Sequence, residues 1–216
     1  GCNIYGKAEY FNPGESVKDR AALFIVQDAI KKKLVSKGGT IVEGTAGNTG
    51  IGLAVVCKEY DLNLKIVIPN TQSIEKKQTL KKLGAELIEV DAVPYSDPKN
   101  YIKQSKKIAE DLNKTSKFGV YWANQFDNTI NTDAHIKTTA EEIWNQTAGS
   151  IDGFTCAVGT GGTLAGVSIG LKSKNKNIKI ALSDPMGSSL YSYIKNNKLE
   201  TTGSSITEGI GTGRIT

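Results

Sequence analysis

Residues 12–20 read Asn-Pro-Gly-Glu-Ser-Val-Lys-Asp-Arg, and the rest of the chain is organised around them. Asn12, Pro13 and Gly14 form a turn signal. Ser16, with Asp19 three positions on, resembles a capping box in which Asp replaces the usual Glu or Gln. Val17, Ala21, Phe24, Ile25 and Ala29 then recur at helical spacing, which predicts a helix over 17–34 with Lys18 in its first turn. The helix dipole is positive there, so it opposes a cation. Together with any desolvation it favours the free amine, which is the nucleophile. Taken alone, such a residue is more often a solvated lysine.

Outward from this stretch the chain alternates. Strand-like runs at 40–43, 65–69, 86–91, 119–125, 154–158 and 178–182 are separated by helical patterns over 51–60, 73–83, 97–113, 130–147 and from 164 to 172. Residues 203–216 read as a Gly-rich loop. Alternation of this kind means βαβ units, an α/β fold and a mostly parallel sheet. Continuous apolar runs such as 154–158 suit burial on both faces. In these sheets ligands bind beyond the carboxyl ends of the strands, on the loops that enter helices.

Two loops have that placement. Residues 159–163, Gly-Thr-Gly-Gly-Thr, follow an apolar strand and open a helix. Glycines let the backbone approach an anion, free N–H groups and the dipole stabilise it, and Thr160 and Thr163 add hydroxyls. The Walker lysine is missing, and Leu164 stands where a dinucleotide motif needs its third glycine, so a single phosphate fits better than a nucleotide. The plainer reading is a tight strand-to-helix turn. Residues 44–50, Gly-Thr-Ala-Gly-Asn-Thr-Gly, repeat the setting and suit a carboxylate or phosphate, with Asn48 serving either as a ligand donor or as a helix cap.

Composition narrows the classes. Of 216 residues, 38% are hydrophobic and 23% charged, a globular profile without a disorder signature or an apolar run long enough to span a bilayer. The net charge of +5 comes from lysines scattered among acids on predicted helices, which reads as solvated faces rather than a nucleic-acid track. Three distant cysteines and one histidine supply no disulfide framework and no metal spacing, and they fit a reducing compartment. His135 reads as a packing or capping residue, and Trp122 and Trp144 as core or interface. Asp184, at a strand end, could read a ribose in a dinucleotide site, but the failed glycine pattern argues against an oxidoreductase. No cleavable targeting segment is visible at residue 1. What remains is an amine, a phosphate cradle and a second anion loop. A Schiff-base cofactor such as pyridoxal phosphate needs that set.

These motifs, with Gln125-Phe126 and residues 208–211 (Glu-Gly-Ile-Gly), stand in the order seen in the cysteine synthase (O-acetylserine sulfhydrylase) and cystathionine β-synthase family. The chain resembles that family throughout, most of all its fungal cysteine-synthase-like members, some of them mitochondrial. The resemblance implies a two-domain, tryptophan-synthase-β-like fold (pyridoxal-phosphate fold type II), usually a homodimer. Residues 13–126 would form a smaller mobile domain, and residues 1–12 plus 127–216 part of a larger one. It implies pyridoxal phosphate held covalently by Lys18, with its phosphate on Gly159, Thr160, Gly161, Gly162 and Thr163. Asn48 would donate to the ring 3′-oxygen, and Gly209 and Gly211 would lie along the cofactor's edge. Thr45, Ala46, Asn48, Thr49 and Gln125 would clamp the substrate carboxylate. Ala46 replaces a Ser common in the family. The implied reaction joins O-acetyl-L-serine and sulfide into cysteine, with Lys18 moving the α-proton. Serine and homocysteine are the alternative pair, and a non-catalytic cofactor-binding homologue is the alternative class. Family members begin upstream with a Gly-Asn-Thr-Pro-Leu-like segment and continue past Thr216. The group that bonds the pyridine nitrogen is therefore expected outside this sequence.

Overall fold

The computed structural model describes residues 1–45, 47–204, 207 and 209–215. They divide into two compact units, Gly1–Asn128 and Thr129–Thr216. No helix among the described residues is long and apolar enough to cross a membrane.

The first unit runs α1 (Lys18–Lys31), β1 (Thr40–Gly44), α2 (Asn48–Glu59), β2 (Asn63–Pro69), α3 (Ile74–Lys82), β3 (Glu86–Val90), α4 (Tyr101–Asn113) and β4 (Val120–Trp122). The strands form one parallel sheet in the order β3-β2-β1-β4. β1 and the second half of β2 are buried on both faces, as their apolar runs predict. On one face Val42 and Val67 pack with Ala109 of α4. α2 covers the other, with α1 and α3 against it. The chain moves from β1 outward to β3 and returns to place β4 on β1's free side. The strand order therefore reverses between β1 and β4, and the loops leaving those two strands diverge around a crevice.

The start of α1 differs from the expected capping box. The helix begins after Val17, whose side chain makes no capping bond. Ser16 Oγ accepts the N–H of Lys18 at 3.3 Å, and Asp19 turns back to take the N–H of Gly14 at 2.5 Å. Gly14 permits this because a Cβ there would stand 2.5 Å from Asp19 Oδ1. The turn is closed further by Asn12 Nδ2, which donates to the Ser16 carbonyl at 3.0 Å. Arg20 grips both Glu9 oxygens at 2.8 and 2.9 Å, a bidentate pair that fixes geometry as well as charge. The helix stops at Lys31 rather than 34, because Lys33 adopts a left-handed φ of 58°.

In the second unit the expected helix over 130–147 is three pieces: α5 (Ile130–Ala134), a π turn (His135–Thr139) and α6 (Ala140–Gln146). β5 (Gly153–Ala157), α7 (Gly162–Lys174), β6 (Lys179–Ser183) and a further helix α8 (Leu190–Asn196) follow. β5 and β6 pair in parallel. They are not buried on both faces as expected. Phe154 and Ile180 lie on a core of Ala140, Ile143, Val167, Leu171 and Ile178, while Thr155 and Ala181 are exposed. α8 interrupts a polar run in which no helix was expected. Asp184, the possible ribose reader, takes the N–H of Tyr191 in its first turn at 2.8 Å.

Candidate active site

In the first unit the predicted residues gather at the crevice between β1 and β4 and at the start of the two helices beside it. Lys18, half-buried, is the first residue of α1, and Asn48, exposed, is the first of α2. The two first turns meet. A Cβ on Gly52 of α2 would come 3.0 Å from Asp19 Oδ1 and 3.1 Å from Asp19 Cα. Burial raises the Asp19 carboxyl above its ordinary range, the Gly14 N–H opposing this and Glu9 adding to it. Asn48 does not cap α2; Gly47 precedes it and makes no side-chain capping bond. Its amide is therefore not used as the helix cap. Ala46 lies outside the described residues.

Thr45, Thr49 and Gln125 are buried. Thr45 donates its N–H to the Val67 carbonyl at 3.1 Å, continuing the sheet pairing by one residue, and its hydroxyl accepts the Gly47 N–H at 3.3 Å. Thr49 Oγ1 donates to Gln125 Oε1 at 2.5 Å. Gln125 follows Asn124, whose left-handed φ of 47° turns the chain sharply after β4. That turn is held by Asn128 Nδ2, which donates to the Ala123 carbonyl at 3.0 Å. It aims the Gln125 N–H at Oε1 of Glu43, 3.4 Å away.

Glu43 is a residue that sequence reasoning missed. It is 1% exposed, at the penultimate position of β1. Burial pushes its carboxyl up to about 8; the N–H groups of Gln125 and Asn124 and the Gln125 side chain pull it back, and Asp127 adds to the rise. Burial thus favours its uncharged form. Only its place beside a glycine-rich loop could have singled it out.

In the second unit the loop at 159–163 turns directly into a helix start, as the sequence predicts. Gly161 has a left-handed φ of 89° and leads straight into α7. A helix's first N–H groups have no partner within the helix, so several point out of this loop. Both threonine hydroxyls are placed by α5 and the π turn. Asn131 Nδ2 donates to Thr160 Oγ1 at 2.9 Å, and Thr163 Oγ1 lies 3.1 Å from His135 Nε2. Nδ1 of His135 lies 2.9 Å from Thr139 Oγ1, so the buried ring bridges two threonines. His135, read as a packing or capping residue, is buried as that reading expects and in addition braces Thr163. The approach depends on three glycines one turn apart. A Cβ on Gly162, Gly166 or Gly170 would stand 2.3 Å from Asn131 Oδ1, 2.5 Å from the Thr132 carbonyl or 2.4 Å from Ala140 Cβ. Gly209 and Gly211 lie beside the same loop. The Gly209 carbonyl oxygen is 2.5 Å from where a Gly159 Cβ would be, and Gly211 N donates to the Val158 carbonyl at 2.6 Å. Of the motif at 208–211, Glu208 lies outside the described residues.

The first unit thus carries a lysine at a helix start and a linked Thr49–Gln125–Glu43 group, and the second a Gly/Thr loop at a helix start. Cysteine synthase 1 of Emericella nidulans is 54% identical over 219 residues, covering 100% of this chain and 58% of that protein. The chain therefore spans little more than half the length of that relative. The crystal structure of cysteine synthase from Entamoeba histolytica superposes with a TM-score of 0.82 at 38% identity, over 97% of this chain and 58% of that one. An O-acetylserine-dependent cystathionine β-synthase from Helicobacter pylori superposes with the same score at 35% identity, over 96% and 63%. The family model described as pyridoxal-phosphate dependent enzyme matches residues 1–216, and the chain belongs to that family.

Proposed function

We propose that the protein forms L-cysteine by β-replacement, with O-acetyl-L-serine and sulfide as substrates. The observation that carries this is the pairing, within one chain, of a lysine opening a helix beside the Thr45–Thr49–Gln125 clamp with a loop whose two threonines are held as phosphate donors. The cradle fits a phosphate monoester. A Cβ at Gly159 would meet the Gly209 carbonyl and one at Gly162 the Asn131 amide, so glycine at both positions lets these groups pack against the loop that would receive it. Pyridoxal phosphate, when bound, supplies an electron sink for the pair left at the substrate's α-carbon. In this reading Gly159, Thr160, Gly161, Gly162 and Thr163 hold its phosphate, Asn48 donates to its ring oxygen, and Gly209 lines its edge.

Lys18 Nζ would hold the cofactor and, as a free amine, would take the proton from the substrate's α-carbon and later return it. Thr45, Ala46, Asn48, Thr49 and Gln125 bind the substrate carboxylate and orient the Cα–H bond toward that amine. Acetate leaves the β-carbon and sulfide takes its place. Residues 13–126 act as the smaller domain that closes over the substrate and excludes water. Residues 127–216, with 1–12, belong to the larger. A homodimer, in the mitochondrion or alternatively the cytoplasm, completes the reading by resemblance to the fungal enzymes.

A second reading is condensation of serine with homocysteine; the likeness to the O-acetylserine-dependent cystathionine β-synthase of Helicobacter pylori favours homocysteine as the acceptor. The test offers the pyridoxal-phosphate-loaded protein O-acetyl-L-serine or serine, each with sulfide or homocysteine. The proposal expects cysteine from O-acetyl-L-serine and sulfide at the highest kcat/KM. Higher kcat/KM for serine and homocysteine, or no turnover of any pair, contradicts it.

A further inference from the structure

Among the described residues, Glu43 is the buried ionisable group at the β1–β4 crevice that the proposed reaction does not use. It sits where the sheet order reverses, one residue before the clamp loop begins. Its Oε1 accepts the Gln125 N–H, and its Oε2 has no hydrogen-bond partner among the described residues. The Gln125 side chain also acts on it. The Gln125 amide therefore has both ends spoken for. Its oxygen receives the Thr49 hydroxyl and its other end faces Glu43. Those two contacts decide which way round the amide lies, and so which of its groups an incoming carboxylate meets.

We propose that Glu43 is a positioning residue for the substrate carboxylate: it orients Gln125, and through it Thr49. This rests on the function proposed above. The charge state matters because the clamp receives an anion. An ionised carboxylate buried against Gln125 would repel the substrate in a low-dielectric crevice, whereas a protonated one leaves only dipoles. Asp127, three residues beyond Asn124, is the charged group that acts on Glu43, and its negative charge favours the neutral form.

The test compares wild type, Glu43→Gln and Glu43→Leu, each loaded with pyridoxal phosphate and titrated with L-serine by the change in cofactor absorbance. Gln keeps a neutral acceptor and Leu keeps only bulk. The expected result is similar L-serine affinity for wild type and Gln, and roughly tenfold weaker affinity for Leu at unchanged cofactor content, the loss that about 1.4 kcal/mol produces. In turnover the Leu variant raises KM for O-acetyl-L-serine more than it lowers kcat. Should the Leu variant not fold, wild type and Gln alone decide. Wild type loses L-serine affinity relative to Gln as pH rises past about 8, where Glu43 ionises. Equal affinity in all soluble variants, or identical pH profiles for wild type and Gln, overturns the proposal. A wild-type protein that takes up no pyridoxal phosphate overturns the functional reading beneath it, and this is distinguishable because cofactor content is measured first.

Discussion

The two glycine loops occupy the same position in a βα unit and solve different problems. The loop after β5 is all donor: a left-handed glycine, a helix N-terminus, and two hydroxyls locked by Asn131 and His135. The loop after β1 enters its helix through an extended glycine (Gly47, φ −156°), and its groups are amide, hydroxyl and a buried acid bonded to one another. The first arrangement suits an anion that stays. The second can exchange one hydrogen-bond partner for another, which suits an anion that arrives and leaves with each turnover. Permanence and exchange are thus built from different chemistry on one backbone plan.

That contrast can be broken by mutation. His135→Ala leaves Thr163 without its buried partner, and loss of such a bond, about 1–3 kcal/mol, should weaken pyridoxal phosphate affinity by roughly tenfold or more. Equilibrium dialysis or fluorescence titration measures it, and amino-acid affinity of the fully loaded protein should change far less. Thr49→Val should do the reverse. It should raise KM for O-acetyl-L-serine by roughly tenfold while cofactor uptake holds, because one neutral hydrogen bond is removed. If either variant moved both affinities equally, the division between the loops would fail.

The smallest expected effect is a stability slope. The Glu43 carboxyl stands at about 8 in the fold against 4.5 for an ordinary glutamate. The folded chain therefore holds a proton that the unfolded chain has released. Its contribution is fully present below about pH 4.5 and is lost as pH rises toward 8. Thermal unfolding should show wild type losing stability relative to Glu43→Gln from about pH 5 to pH 8, by at most about 1.4 kcal/mol per pH unit. Parallel melting curves for the two proteins would mean that Glu43 is ionised in the fold.

Much of this was legible from residue order. The α/β alternation, the parallel sheet and both loops follow from apolar periodicity and glycine placement, and Lys18 opens α1 within one residue of the expected start. What was hidden depends on contacts between distant segments. Glu43 looks like a polar position on a strand until β4 and Gln125 are folded against it. His135 and Asn131 look like ordinary helical polar residues. Only the π turn and the close approach of α7 bring them to Thr163 and Thr160. The spacing of Gly162, Gly166 and Gly170 was a visible sign of that approach, since three glycines on one helical face let a second helix come near. Asp19 illustrates the opposite error. Its position satisfied a capping pattern, but the buried Gly14 turn gave its carboxylate a nearer partner.

The account stands on Lys18 as the residue that carries the cofactor, and borohydride reduction of the pyridoxal-phosphate-loaded protein followed by peptide mapping tests it most directly. The account predicts one pyridoxyl group per chain, found on Lys18 and absent from Lys18→Ala. A pyridoxyl group fixed on a different lysine in the wild-type protein would contradict it.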